Sequence, residues 1–177
     1  MANQILVAYT SKYGATRQYA EWIASELHAD LAEAKSLDLN KFSQYQMVVY
    51  GGGLYAGGIA GVQRVLKQPC KNLVVFTVGL ADPSITDYSE ILQKNFTPKQ
   101  MASTRFFHLR GGIDYKQLGP IHKGMMAMMK RLILKKPESE RDAEDHEFLR
   151  TYNAAVQFTD KSSIEPLVTF VQALRSE

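Results

Sequence analysis

Residues 8–20, AYTSKYGATRQYA, decide the fold. They overlap the end of a short apolar run, QILVAY at 4–9, and lead into Ala20, Ile23, Ala24 and Leu27 at i, i+3, i+4 and i+7. The run has the composition of a buried strand, and the spacing that of an amphipathic helix over 15–29. Between them the hydroxyls of Thr10, Ser11, Tyr13 and Thr16 surround one glycine, Gly14. A strand that turns sharply into a helix leaves the first helical amides unpaired at the positive end of the helix dipole, which suits an anion such as phosphate. Lys12 adds charge if it points inward. A polar turn that merely caps the helix would use the same residues, so this stretch alone does not choose.

The alternation continues outward. DLAEAKS (30–36) reads as a short second strand and LNKFSQYQ (39–46) as a connection with one helical turn. MVVYGGG (47–53), NLVVFTVG (72–79) and STRFFHLRGG (103–112) are buried strands, and each ends in glycine. Helices are expected near 59–68 and over 83–96, the second with Ser84 near its cap. A last helix carries Leu167, Phe170, Val171 and Leu174, with Ser163 favoured over Ser162 as cap because Pro166 would then lie at N3. Near-continuous apolar strands separated by helices imply an α/β protein, its parallel sheet covered on both faces.

Two more loops join the first at the carboxyl ends of the strands, where ligands bind in open parallel sheets. GGGLYAGGI (51–59) lets the chain approach a flat ligand closely and offers the face of Tyr55. VGLADP (78–83) exposes backbone that could bond a heterocycle's polar edge. The first loop is neither a Walker loop nor the glycine fingerprint of dinucleotide folds, so a monophosphate fits best.

Composition narrows the classes. Apolar residues at 45% and charged residues at 22% are ordinary for a globular protein, and no run reaches the ~18–20 residues of a membrane span. The start, MANQILVAYT, lacks a signal peptide's basic flank and long apolar core, so a cytoplasmic location is expected. Cys70 is the single cysteine, which excludes an internal disulfide and fits a reducing compartment; beside Pro69 it reads as inert. His28, His108, His122 and His146 show no metal-ligand spacing, so no metal site is expected. The net charge of +3 is modest, and no nucleic-acid partner is expected. Residues 115–137, however, hold six basic side chains and no acidic one, and 138–147 hold six acids against one arginine. These blocks mark a partner surface or neutralise each other within one lobe.

Together the three loops resemble the flavodoxin-like FMN-binding family: TSKYGAT its phosphate loop, GGGLYAGGI its loop after the third strand, VGLADP its third flavin loop. The resemblance covers residues 1–112 and resumes in the last helix. It implies a single doubly wound domain over 1–177, with a five-stranded parallel sheet in the order 2-1-3-4-5 and helices on both faces. It implies FMN, with phosphate on Ser11, Lys12, Tyr13, Gly14, Ala15 and Thr16. The isoalloxazine would lie between Gly52, Gly53, Leu54, Tyr55, Ala56 and Gly57 on one side and Gly79, Leu80, Ala81 and Asp82 on the other, stacked on Tyr55. Gly52 and Gly53 replace the family's usual Ser-Pro, which should loosen that loop. The third loop has no aromatic residue, leaving one flavin face open. Trp22 reads as structural.

Residues 113–160 are a helical insertion before the last helix, where a few connecting residues would suffice. GGIDY, a basic Met-rich helix and FTDKSSIEPLVTFV resemble the menaquinone-dependent protoporphyrinogen dehydrogenases of flavodoxin type, although Lys161 stands at that subfamily's tryptophan position. Gly119 and Pro120 open a helix on which Ile121, Met125, Met128, Met129 and Leu132 share a face, with Lys123 and Lys130 opposite and Arg131 and Lys135 flanking. Adaptable methionines suit a large planar apolar molecule; the same stripe could simply pack on the domain. The resemblance implies an FMN oxidoreductase that passes electrons to a quinone, its chemistry carried by the flavin and by no obligatory side-chain acid or base. Arg110, Lys116 and Lys123, with Met125 and Met129, would bind the substrate. The expected partners are a bulky planar substrate or quinone, a redox protein, or an acidic membrane surface met peripherally from the cytoplasmic side. A flavodoxin-type carrier docking on redox partners is the alternative.

Overall fold

The computed structural model describes residues 4–175, apart from the side chain of Leu39. Residues 1–3, where the stretch read for a leader begins, lie outside the described residues. The chain opens with β1 (Ile5–Thr10), α1 (Ala15–Leu27) and β2 (Asp30–Glu33). Two 3-10 turns lead to β3 (Met47–Tyr55), β4 (Gly58–Ile59) and α2 (Val62–Val65). β5 (Leu73–Gly79), α3 (Ser89–Asn95), α4 (Pro98–Ser103) and β6 (Thr104–Arg110) complete the first part. A lobe follows, made of β7 (Gly112–Asp114), α5 (Pro120–Lys135), α6 (Ala143–Thr151) and β8 (Ala155–Gln157), before α7 (Glu165–Arg175).

The main sheet runs β2-β1-β3-β5-β6, all parallel, which is the expected 2-1-3-4-5 order. In register, Val7 lies between Leu31 and Val49, and Gly52 between Thr10 and Thr77. Alternate strand residues feed two cores. Val7, Val49, Val74 and Phe76 meet Tyr19, Ile23 and Leu27 of α1 and Leu167 and Val171 of α7. Leu6, Val48, Tyr50 and Val75 meet Phe42, Val62, Val65 and Phe96 on the other face. Each fully buried large apolar side chain contributes about 1.5–3 kcal/mol, which holds the carboxyl ends of β1, β3 and β5 at one rim. Trp22 packs edge-on against Tyr19, 5.5 Å between centroids, as a structural residue would.

Several expected elements differ. The helix over 83–96 shrinks to α3, because Asp82 accepts hydrogen bonds from the Ser84 amide (2.9 Å) and hydroxyl (2.7 Å) and closes a turn there. Thr97 and Gln100 then form a capping box that starts α4. The helix near 59–68 retains only α2, since residue 59 is drawn into β4. Asp160, rather than Ser163, starts the C-terminal segment: its carboxylate accepts from the Ser162 amide at 2.9 Å, and a 3-10 turn over Lys161–Ile164 precedes α7. Ser163 instead donates its hydroxyl to the Asp160 carbonyl at 2.6 Å.

Candidate functional site

The turn from β1 to α1 supplies the anion-facing end of the site. Gly14 is the N-cap of α1 at φ 99°, left-handed backbone that an L side chain resists. Nothing lies within 4 Å of where its Cβ would stand, so the backbone alone demands glycine there. Its amide donates to Ser11 Oγ at 3.1 Å, and no side chain caps α1. The first amides of the helix therefore keep their donors for whatever occupies the rim.

The second wall is a hairpin. β3 continues through Tyr55 and turns back as β4, with Tyr55 opposite Gly58. Ala56 and Gly57 have φ of 50° and 74°, so both central residues are left-handed, as in the primed turns that suit two-residue hairpins. Lys94 donates to the Ala56 carbonyl at 3.0 Å and Asn95 to that of Gly57 at 2.9 Å, while Ile59 donates its amide to Asn95 at 3.1 Å. The two glycines expected to loosen this loop lie inside the sheet, Gly52 opposite Thr77 and Gly53 opposite Val78. A Cβ on Gly53 would come 2.9 Å from the Tyr55 ring, so glycine here gives that ring its place.

The third wall is the loop after β5, and the roof is α5. Gly53, Leu54 and Tyr55 face Gly79 and Leu80 across a cavity of about 160 Å³, closed beneath by Ser11, Tyr13, Ala15 and Thr16. His122, Met125 and Met126 of α5 close it from above. His122 stacks on Tyr55, with centroids 5.0 Å apart and planes 9° apart, and its Nδ1 lies 2.6 Å from the Tyr13 hydroxyl. Burial and the nearby Lys12 ammonium lower its pKa. That favours the neutral imidazole, which in its Nε2–H tautomer accepts the Tyr13 hydroxyl at Nδ1. Burial, then proximity to Tyr13, raises the pKa of Tyr55. A second space, of about 280 Å³, extends past Tyr13 and Ala15 along Gly112, Gln117 and Gln157.

The structure thus brings Ser11, Tyr13, Ala15, Thr16, Gly53, Leu54, Tyr55, Ala56, Gly79, Leu80 and Met125 around one cleft. Gly14, Gly52 and Gly57, also expected there, do not line it, although each belongs to a segment that forms a wall. Ala81, Asp82 and Met129 border an adjoining cavity instead. Lys12 sits 5.5 Å from the Tyr13 ring centroid, beside the cleft. Arg110 does not line it: Nε donates to the Leu80 carbonyl at 3.0 Å, Nη2 pairs with Glu147, Nη1 lies 3.5 Å from Asp82, and the guanidinium rests on the Phe158 ring at 3.6 Å. Lys116 and Lys123 are exposed and outside the lining. Sequence reasoning missed His122, Met126, Ile113 and Leu118, all of which line the cleft. His122 carries a usable signal, because Pro120 at N1 puts it in the first helical turn after a glycine.

The donor set fits a mononucleotide. Helix amides and hydroxyls stand at one end, and a flat slot with glycine backbone and one tyrosine face at the other. The 160 Å³ of the central cavity is below the ~300–1,000 Å³ of small-molecule sites, so such a ligand must extend into the neighbouring space or shift His122. Residues 6–140 match the flavodoxin domain model. The chain belongs to the flavodoxin domain family. That membership supports FMN as cofactor and a redox function. No curated protein matches the chain in sequence. Solved structures similar to this flavodoxin domain include a flavoprotein from Lactobacillus acidophilus in complex with FMN, 15% identical, TM-score 0.41, covering 62% of this chain and 93% of that one. Oxidised flavodoxin 2 from Bacillus cereus is 20% identical, TM-score 0.41, over 60% and 85% of the two chains. A WrbA-like flavodoxin from Agrobacterium tumefaciens is 18% identical, TM-score 0.45, over 86% and 94%. At these scores the likenesses decide nothing further. Among the described residues no cluster of metal-ligating side chains occurs, and no helix is long and apolar enough to cross a membrane.

Proposed function

We propose that this flavodoxin domain is an FMN-dependent oxidoreductase acting on a flat, largely apolar organic substrate, with a quinone as electron acceptor. One observation carries the reading: α5 roofs the cleft and sets His122, Met125 and Met126 over it. A carrier that only docks on other proteins gains nothing from a roof over its reactive edge. When bound, FMN supplies the exchange of two electrons and accompanying protons. The protein's share is binding and orientation. The first amides of α1, with Ser11 and Thr16, hold the phosphate. Tyr55 would offer its face to the ring once His122, now stacked on it, moves aside. Backbone amides of the loop after β5 would bond the ring edge, and the methionines would exclude water and adapt to the substrate.

Protoporphyrinogen dehydrogenation is the finer reading, carried by the resemblance of the insertion. It needs cations for the substrate's carboxylates, and Arg110 is already engaged by two acids of its own. A quinone or quinol, which is neutral, asks for none. The outward face of α5 supports the same class of acceptor. Ile121, Met128 and Leu132 are 77%, 61% and 57% exposed, with the exposed Arg131 and Lys135 flanking them. Such a helix face suits an acidic membrane surface that carries quinone.

The test is anaerobic mixing of FMN-loaded, photoreduced protein with a soluble naphthoquinone. The reading expects fast reoxidation whose rate saturates with quinone concentration. A slow rate that rises linearly without saturation would favour the carrier.

A further inference from the structure

A cavity of about 280 Å³ lies between the loop after β5, α5 and α6. It opens off the central cleft along Leu54, Ala56, Leu80 and Met126, which line both. Ile85, Met129, Ile133 and Phe148 make the rest of its wall apolar. Its polar side chains are Asp82, Glu144, Asp145, Glu147 and Thr151, and no lysine, arginine or histidine lines it. The cations that hold these acids approach from outside: Lys136 takes Asp145 at 2.7 Å, and Arg110 and Arg150 take Glu147, whose pKa falls to about 2 through those bonds. Glu144 is exposed on the first turn of α6, with no cation within 4 Å among the described residues.

We propose that this cavity is the substrate compartment, and that it takes a planar aromatic molecule that is neutral or bears an amine while rejecting carboxylated ones. Its use as a substrate compartment rests on the redox reading above; its binding selectivity does not. The volume suits two fused rings. Apolar burial supplies affinity for any of them, and the field of the lining carboxylates sorts them by charge. An anion entering here meets, at the exposed mouth, the negative charge of Glu144, which no cation within 4 Å among the described residues offsets. An ammonium finds an acceptor in the same group.

Calorimetric titration of the FMN-treated protein with 2-naphthol, 2-(aminomethyl)naphthalene and 2-naphthoate tests this. The first two should bind at least tenfold more tightly than 2-naphthoate. Glu144→Lys should narrow that gap to less than threefold, and Met129→Trp, which fills the cavity, should abolish binding of all three. Ile85→Trp fills it from an exposed loop if the helix variant does not fold. Equal or tighter binding of 2-naphthoate overturns the proposal, as does unchanged binding in both tryptophan variants. A protein that retains no FMN but shows the predicted charge order and tryptophan sensitivity would refute the redox reading and keep the compartment.

Discussion

At the residue scale, three positions show how single groups set the cleft. Gly14→Ala should cost about 1–2 kcal/mol of stability in denaturant unfolding, because open space surrounds the position and only its left-handed backbone resists. Gly53→Ala should act otherwise: the new methyl displaces the Tyr55 ring, so ligand stacking suffers more than stability. His108 titrates. It stacks on Tyr88 at 3.6 Å, bonds Thr77 at 2.7 Å, and burial lowers its pKa to about 4. The folded pKa is below the unfolded value of 6.5, so the unfolded chain binds the proton first. The stability it contributes is full above pH 6.5 and is lost as pH falls towards 4. Thermal unfolding followed across that window should show a shallower fall in His108→Phe than in the parent. The lowered pKa of His122 acts in the same direction, so the slope should flatten without vanishing.

At the scale of elements, the insertion is a lobe on a hairpin stem. β7 and β8 pair antiparallel, with Asp114 opposite Ala155. Replacing residues 115–154 by an Asn-Gly turn therefore closes a short hairpin that the chain already forms. The trimmed protein should fold, bind FMN within about tenfold of the parent, and lose saturable reaction with quinone; 1.4 kcal/mol corresponds to each tenfold. Loss of FMN binding along with turnover would show that the lobe helps to build the cofactor site. The elements also show what was legible. The parallel strands could be read because burial on both faces makes them continuous apolar runs, and α5 because Gly119 and Pro120 mark its start. The β3–β4 hairpin could not, since Ala56 at positive φ carries none of the Asn-Gly signal. The short α3 was hidden because Asp82 and Ser84 look equally suited to a helix cap and to a turn. The pairing of β7 with β8 joins segments about forty residues apart, beyond any local pattern.

At the scale of the whole molecule, the charge blocks cancel only in part. Lys136 and Asp145 form an ion pair between the basic and acidic stretches, and Arg141 caps the end of α5 through the Ile133 and Leu134 carbonyls. Arg131 and Lys135 make no ion pair among the described residues and flank the exposed apolar stripe. The protein should co-sediment with vesicles rich in anionic lipid, and release with salt. Met128→Ser with Leu132→Ser should weaken that binding several-fold while leaving FMN affinity unchanged. Lys161, at the position read against the subfamily's tryptophan, pairs with Glu26 at 2.7 Å on the flank of α1. Nothing in that pairing bears on substrate choice, which was legible only as far as the class of cofactor. The cleft itself rests on the turn at residues 11–16, which forms a seat for a monophosphate. Parallel titrations of the protein with FMN and riboflavin, followed by flavin fluorescence, test it most directly. Saturation at one FMN per chain is expected, with riboflavin at least tenfold weaker. Equal affinity for the two flavins, or no saturable binding of either, would contradict it.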